Sequence, residues 1–175
     1  MLRPTESEPL SSSFVLDARL GLILDLLPKG LPLWDVGCDH GYLGFRALQN
    51  GIVPEAHFVE PSLPAMESLL SRWNSPGYES FRQKFKGQVH FHQCHGEDLP
   101  AKKPQGCAVL AGMGARRIRT IVGGWDPLPF RALILNPRTD WEGQGEPDEF
   151  LPEWEWAFFQ VEVSGRREAV WKGIN

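Results

Sequence analysis

Hydrophobic and polar positions in the first third of the chain follow two different periods. Apolar residues recur at helical spacing over 13–27, preceded by serines and followed by Pro28 and Gly30; they are Leu16, Leu20, Ile23, Leu24 and Leu27. A continuous apolar run over 31–36 is too short for an exposed helix and predicts a buried strand. Residues 42–49 return to helical spacing before Asn50-Gly51, a typical helix end. A helix, a buried strand and a second helix are therefore predicted.

The same strand and helix unit recurs along the rest of the chain. Further strands are predicted at 56–59, 89–94, 107–111 and 131–135, separated by amphipathic helices that carry Met66 and Leu70, Phe81 and Phe85, and Ile118 and Ile121. Residues 141–153 are predicted to form a loop with one helical turn, and strands at 156–163 and 168–174 to form an antiparallel hairpin. The expected fold is α/β and Rossmann-like, with a mostly parallel seven-stranded sheet and a C-terminal antiparallel hairpin.

Composition narrows the class of protein. The 175 residues carry a formal net charge of -4 and give a pI of about 5.7, without the basic excess typical of nucleic-acid-binding proteins. Three cysteines without framework spacing indicate reduced thiols rather than a secreted disulfide scaffold. Residues 1–10 are polar and are predicted to be a flexible leader, with a single domain at 11–175. The absence of a long apolar segment excludes a membrane span and predicts a cytoplasmic protein.

The chemistry of the chain is concentrated after the first predicted strand. The pattern Asp35-x-Gly37-x-Asp39-x-Gly41 lacks the GK[ST] of a triphosphate-binding loop and the full GxGxxG of a dinucleotide-binding loop. Asp39 stands where a glycine would let the backbone approach a pyrophosphate, and its carboxylate would repel one. A cationic ligand is compatible with that carboxylate, and S-adenosylmethionine carries a sulfonium and an ammonium group.

Further candidate residues lie at the ends of the next three strands. Glu60 is placed to accept the two ribose hydroxyls of a nucleoside, and Glu97 to meet an adenine edge. Gly112 and Gly114 permit close backbone approach to a ligand. Each residue taken alone is equally typical of a turn or a helix cap. Together they favour a ligand that contains adenosine.

Three motifs carry a resemblance to a known family. Asp-Val-Gly-Cys-Asp-His-Gly-Tyr-Leu at 35–43 resembles the DIGSDHAYL signature of the TrmK-type bacterial tRNA adenine-N1 methyltransferases. Ala-Gly-Met-Gly at 111–114 matches that family's AGMG, and Leu-Ile-Leu-Asn-Pro at 133–137 is similar to its LILQPN. The resemblance spans most of the chain, although members of the family commonly carry a helical C-terminal domain for which this sequence has no counterpart.

The resemblance implies a class I methyltransferase fold, S-adenosylmethionine as methyl donor, and methylation of adenine N1 in RNA, specifically tRNA. Asp39 and Tyr42 match the family's proposed catalytic pair, and Asn136 is a third candidate, where an amide oxygen or a backbone carbonyl could be aimed at the exocyclic amine of the acceptor base. The predicted cofactor site comprises Asp35, Gly37, Cys38, His40, Gly41, Glu60, Gly96, Glu97, Gly112 and Met113.

Other sequence features leave alternatives open. An S-adenosylmethionine-binding module without catalysis and an NAD-dependent oxidoreductase are the two alternative functions.

Two single residues also have alternative roles. Trp141 could stack on an extruded base or cover the hairpin core, and Cys38 at a helix start could be a stabilised thiolate. A group of arginines could contact phosphate, whereas acidic residues after Pro137 would repel it; the arginines are Arg116, Arg117, Arg119 and Arg138.

A crowded set of metal-ligating side chains occurs near the third strand. Its members are His90, His92, Cys94 and His95. Side chains two apart on one strand diverge, and structural metal sites usually draw their ligands from separate segments, so no metal is expected. The oligomeric state stays open, because the final hairpin could leave an exposed edge or pair with a second copy.

Overall fold

The structure is a computed structural model that describes residues 16–141 and 143–175. Six α-helices and seven strands occur in the described residues. They are α1 (Ala18–Leu26), β1 (Leu33–Val36), α2 (Tyr42–Gln49), β2 (Ala56–Val59), α3 (Leu63–Trp73), α4 (Glu79–Lys84), β3 (Val89–His92), β4 (Cys107–Met113), α5 (Ala115–Gly123), β5 (Ala132–Pro137), α6 (Pro147–Phe150), β6 (Glu155–Val163) and β7 (Arg166–Ile174). The predicted leader at 1–10 lies outside the described residues.

All seven of these strands form one sheet, in the order β3-β2-β1-β4-β5-β7-β6. The first five pair in parallel, and β7 is antiparallel to both β5 and β6. The predicted mostly parallel sheet with a C-terminal antiparallel hairpin is confirmed. The order reverses direction between β1 and β4, and in open α/β sheets that switch point is where ligands bind, beyond the carboxyl ends of the strands.

Local sequence signals explain the helix ends. Asp17 caps α1 by accepting a hydrogen bond from the backbone N–H of Leu20 at 2.7 Å, so the helix begins after Asp17 rather than including it in the first turn. Ser62 caps α3, which has a proline in its first turn. The hairpin turn at Ser164 and Gly165 has φ values of 51° and 76°, as a two-residue turn with positive φ at both positions requires.

Two hydrophobic layers cover the sheet, one on each face. The first contains Ile23, Leu33, Phe45, Phe58, Leu69 and Ile134, and the second contains Trp34, Leu110, Ile118, Trp125, Leu133 and Trp171. Helix α2 comes close to β2 because Gly44 has no side chain: a Cβ atom there would lie 2.5 Å from Cε1 of Phe58. This contact sets the position of the helix that follows the candidate loop.

Three local features differ from the sequence predictions. Strand β4 continues through Gly112 to Met113, and its register against β5 shifts between Ala111 and Met113, which indicates a β-bulge. Strand β3 ends at His92, two residues before its predicted end. A 3₁₀ segment, Gly96–Lys102, follows it and was not predicted. In the part of the chain that is described, no helix is both long and apolar enough to cross a membrane.

Candidate active site

The loop between β1 and α2 is built from residues with positive φ. Gly37, Asp39 and Gly41 have φ values of 75°, 46° and 72°. The backbone N–H of Gly37 donates to the carbonyl of Val59 at 2.8 Å, which fixes the loop to the end of β2. A Cβ atom at position 37 would lie 2.8 Å from Cε of Met113, so the glycine permits close packing against β4. The loop therefore curls over the carboxyl ends of neighbouring strands.

A cavity of about 280 Å³ opens beside this loop. Seven of the predicted site residues line it: Asp35, Gly37, Cys38, Asp39, His40, Tyr42 and Gly112. The cavity lies at the switch point between β1 and β4, where the topology places a ligand crevice. The structure thus brings together the predicted loop residues and the bulge of β4.

Asp35 is a buried acid at the end of β1. Its accessible surface is 7% of the fully exposed value, and this burial raises its pKa to about 7 despite a hydrogen bond from the backbone of Gly44 and the positive charge of Arg19. Near neutral pH, Asp35 is therefore poised between its neutral and ionised forms. A cationic group entering the cavity would favour the ionised form.

Asp39 and Tyr42 stand at the solvent side of the cavity. The Asp39 side chain is 71% exposed, and its Oδ2 atom lies 3.5 Å from Nε2 of His40. The Arg72 guanidinium lies over the Tyr42 ring, 4.9 Å from the ring centroid, and Arg72 also donates a hydrogen bond to the carbonyl of His40. Arg72 from α3 therefore stabilises the loop that carries Asp39.

Asn136 does not reach the cavity with its side chain. It is fully buried, its Oδ1 atom accepts a hydrogen bond from Nη1 of Arg19 at 3.1 Å, and its Nδ2 atom donates to the carbonyl of Ala169 at 2.8 Å. The amide oxygen of Asn136 is therefore engaged by Arg19, and a contact of its backbone carbonyl with the acceptor base stays a prediction. Sequence position placed Asn136 at a strand end, but its amide joins α1, β5 and β7.

Glu60 and Glu97 are both engaged within the protein. Glu60 is buried and accepts a hydrogen bond from the backbone N–H of Ser62 at 2.9 Å. Both oxygens of Glu97 pair with Arg117, with 2.8 Å between Nη2 and Oε2. Their contacts with the ribose and adenine of a ligand stay predictions.

The three other predicted cofactor residues, Gly41, Gly96 and Met113, shape the walls rather than line the cavity. A Cβ atom at Gly41 would lie 2.8 Å from Cδ1 of Leu69, and one at Gly96 would lie 2.8 Å from a methyl group of Ile121. The absence of a side chain at both glycines thus permits close helix packing on each face of the sheet.

The structure corrects the hypothesis about Cys38 and decides between the two roles considered for Trp141. Burial raises the pKa of the Cys38 thiol well above its usual range, and the nearby carboxylates of Asp35 and Glu60 raise it further, so Cys38 is a neutral thiol rather than a thiolate. Trp141 is 6% exposed and packs in the second hydrophobic layer, 5.6 Å from the Phe150 ring centroid. Of the two roles considered for Trp141, the structure therefore agrees with covering the hairpin core.

Arg19 is the principal cavity residue that sequence reasoning missed. It projects from α1 into the cavity beside Gly112, and its Nε atom lies 3.7 Å from Oε2 of Glu168. No local signal separates Arg19 from other surface arginines, because its position depends on how α1 packs across the end of β5. Asp17 also lines the cavity from the cap of α1.

The comparison with protein families decides the class of this chain. Residues 16–143 match the family described as "Methyltransferase domain". The chain belongs to this methyltransferase family. The predicted methyltransferase class is therefore confirmed, and the family does not support the alternative of an NAD-dependent oxidoreductase.

The curated relatives cover only part of this methyltransferase. "Ribosomal RNA large subunit methyltransferase G" of Shewanella loihica is 38% identical over 79 residues, which is 44% of this chain and 20% of the relative. This chain thus spans about a fifth of the length of that curated relative.

Two solved structures share the fold of this methyltransferase. The first is M. capricolum TrmK in complex with S-adenosyl-homocysteine; its TM-score is 0.76 at 16% identity, over 91% of this chain and 68% of that one. The second is "the B. subtilis M1A22 tRNA methyltransferase TrmK", with a TM-score of 0.72 at 23% identity, over 93% of this chain and 67% of that one. These likenesses concern the fold, and they agree with the fold expected from the TrmK-type motifs.

Proposed function

We propose that this chain is an S-adenosylmethionine-dependent methyltransferase that modifies adenine in RNA. The single observation that carries the proposal is the arrangement of Asp35 and Asp39 around one cavity, at the switch point of a methyltransferase-family fold. The M. capricolum structure with S-adenosyl-homocysteine supports the same cofactor.

The donor set of the cavity fits this cofactor. The carboxylates of Asp35 and Asp39 are complementary to the ammonium and sulfonium groups, and Arg19 is complementary to the carboxylate of the methionine part. A diphosphate would instead meet the exposed carboxylate of Asp39. When bound, S-adenosylmethionine supplies an electrophilic methyl group.

Asp39 has two chemical tasks in this proposal. Attack by adenine N1 on a methyl group leaves the base with a positive charge, which a nearby carboxylate stabilises. The same carboxylate can accept a proton from the exocyclic amine, after which the methylated base is neutral. In this proposal His40, 3.5 Å from Asp39, orients the carboxylate, and Tyr42, whose ring lies 5.4 Å from that of His40, orients the entering base.

The proposal also names the kind of RNA that accepts the methyl group. The TrmK-type motifs and the B. subtilis neighbour favour adenine N1 of tRNA. The local identity to the Shewanella loihica protein favours large-subunit ribosomal RNA as a second candidate. A shallow depression lined by Arg116 and Arg138 adjoins the cofactor cavity through Arg138, and it offers positive charge for the phosphates of either RNA.

The test has a binding step and a transfer step. Calorimetry with S-adenosyl-homocysteine should give one binding event per chain. Incubation with S-adenosylmethionine and unmodified total tRNA, ribosomal RNA or adenosine, followed by nucleoside mass spectrometry, should give 1-methyladenosine from tRNA. Product from ribosomal RNA alone would select the second candidate, and no cofactor binding would refute the proposed function.

Asp39→Asn is the matched variant for catalysis. Asparagine tolerates the left-handed backbone of this position and keeps the side-chain volume, but it removes the negative charge. We expect turnover to fall by roughly 10²-fold or more, and affinity for S-adenosyl-homocysteine, which lacks the sulfonium, to fall much less. Unchanged turnover would remove Asp39 from the mechanism, whereas binding without turnover in the wild type would favour the inactive binding module.

A further inference from the structure

Three potential metal ligands meet at the opposite end of the sheet from the cofactor cavity. Glu55 precedes β2, His57 is the second residue of β2, and His90 is the second residue of β3. The parallel register pairs His57 directly with His90. One ligand atom from each of the three residues lies within 4.8 Å of the others. Three side chains, from two strands and the loop before one of them, therefore lie close together.

The contacts within this Glu55–His57–His90 cluster are close but incomplete. Nε2 of His90 lies 3.3 Å from one oxygen of Glu55, and Nε2 of His57 lies 3.6 Å from the other. The Nε2 atom of His90 is buried, and its 3.3 Å contact with the Glu55 oxygen lacks hydrogen-bond geometry, so it makes no hydrogen bond to any described residue. A buried ring nitrogen without a hydrogen bond requires an explanation, and an ion that it binds is one.

Neighbouring side chains fix the His57 ring, and the His90 ring stacks on it with planes inclined by 16°, so the His90 ring has to turn before both lone pairs meet one ion. Nδ1 of His57 lies 3.0 Å from Nε2 of His92, so a proton carried on His57 Nδ1 leaves its Nε2 with a free lone pair for a metal. Trp34 stacks on His57 with ring centroids 3.9 Å apart and planes inclined by 4°. Second-sphere partners of this type fix the tautomer and the ring plane of metal-binding histidines.

We propose that Glu55, His57 and His90 bind one divalent transition-metal ion of the zinc class. Two imidazoles and one carboxylate form a ligand set that Zn²⁺ uses in proteins, with a fourth position left for water. The side chains of His90 and Glu55 are 36% and 37% exposed, so the ion has a path from solvent. Bound there, the ion would join the edge strand β3 to β2.

This site differs from the set of histidines that the sequence singled out. Residues on a single strand diverge, whereas His57 and His90 come from neighbouring strands and stack on each other, with ring centroids 4.4 Å apart and planes inclined by 16°. His92 acts here through His57, and neither Cys94 nor His95 belongs to the cluster. His57 and His90 lie in the amino-terminal halves of β2 and β3, whereas the cavity lies beyond the carboxyl ends of β1 and β4, so the site is independent of the proposed function.

The test titrates tag-free wild-type protein with Zn²⁺ and with Co²⁺. We expect one ion per chain by native mass spectrometry, a rise in the melting temperature, and a cobalt absorption spectrum of nitrogen and oxygen ligation without a thiolate charge-transfer band. His90→Gln should lower Zn²⁺ affinity at least tenfold and leave S-adenosyl-homocysteine binding unchanged. Glu55→Gln, which keeps the side-chain volume, should have the same effect.

His95→Gln is the matched control, because His95 is exposed and lies outside the cluster. It should retain wild-type Zn²⁺ affinity, and far-ultraviolet circular dichroism establishes that each variant is folded. Equal affinity in wild type and in both cluster variants, a cobalt–thiolate band, or no ion bound at micromolar concentrations would each overturn the proposal.

Discussion

Arg19 donates a hydrogen bond to Oδ1 of Asn136 at 3.1 Å, and this contact joins residues 117 positions apart in the sequence. It connects the first turn of α1 to the carboxyl end of β5. Since Arg19 also lines the cofactor cavity, one side chain links α1, the cavity and the buried amide of Asn136.

Replacing Arg19 should impair both stability and cofactor binding. Arg19→Ala leaves the buried Oδ1 atom of Asn136 without its donor, which costs about 1–3 kcal/mol in the free energy of unfolding. It also removes the positive charge proposed to meet the methionine carboxylate, so affinity for S-adenosyl-homocysteine should fall by about tenfold, measured by calorimetry.

Arg19→Lys separates the two effects. Lysine keeps the charge but not the planar fork of donors, so it should retain more cofactor affinity than alanine does. If the alanine and lysine variants bind the cofactor as tightly as the wild type, Arg19 serves only to hold Asn136.

The raised pKa of Asp35 predicts a dependence of stability on pH. With a folded pKa of about 7, against an ordinary value of 3.8, the folded protein keeps the Asp35 proton over a range where the unfolded chain has lost it. The stabilisation from Asp35 is therefore fully present below pH 3.8 and is lost as the pH rises to about 7. Chemical denaturation should therefore show that the wild type loses stability relative to Asp35→Asn as the pH rises over this range.

Cofactor binding should follow the opposite trend. An ionised Asp35 attracts the cationic cofactor, so affinity for S-adenosylmethionine should rise as the pH increases through 7. Asp35→Asn should bind more weakly above pH 7 and lose this pH dependence. A pH profile identical to that of the wild type would place the titration on another group.

Trp141 should affect stability rather than base recognition. It is buried in the second hydrophobic layer, so Trp141→Ala should lower the free energy of unfolding by about 3–5 kcal/mol, measured by urea denaturation. Trp141→Phe keeps most of the contact and should cost less. A Phe variant with wild-type stability but a greatly raised KM for RNA would instead indicate stacking on the base.

Arg116 is predicted to contact RNA phosphate. It is exposed and lines the depression next to the cofactor cavity. Arg116→Ala should weaken binding to tRNA at low salt and reduce the slope of log affinity against log salt by roughly one. Arg131→Ala is the matched control, because Arg131 is an exposed arginine before β5, at the other end of the sheet. Equal salt slopes for both variants would exclude this role.

Local sequence signals were sufficient to predict most of the helices and strands. The bounds of α2 and β2 match the predicted 42–49 and 56–59, because glycine, asparagine and proline mark the ends of both segments. The loop residues of the cavity followed from the same reasoning, since a parallel sheet brings its carboxyl ends to one edge.

Contacts between side chains that are distant in the sequence could not be predicted from local sequence signals. Glu97 follows β3 as expected, yet its carboxylate pairs with Arg117 on α5, which only the packing of that helix determines. The pairing of His57 with His90 could have been predicted, because each is the second residue of a predicted strand and the two parallel strands start in register. Their convergence on Glu55 depends on the rotamers of all three side chains.

Gly44 has a consequence for the depth of the cofactor cavity. The missing methyl group lets α2 lie against Phe58, and the backbone N–H of Gly44 donates to the buried carboxylate of Asp35. Any larger residue at this position would lift the start of the helix, and with it Tyr42, away from the sheet. The dimensions of the cavity are thus controlled from beneath, by a residue that does not line it.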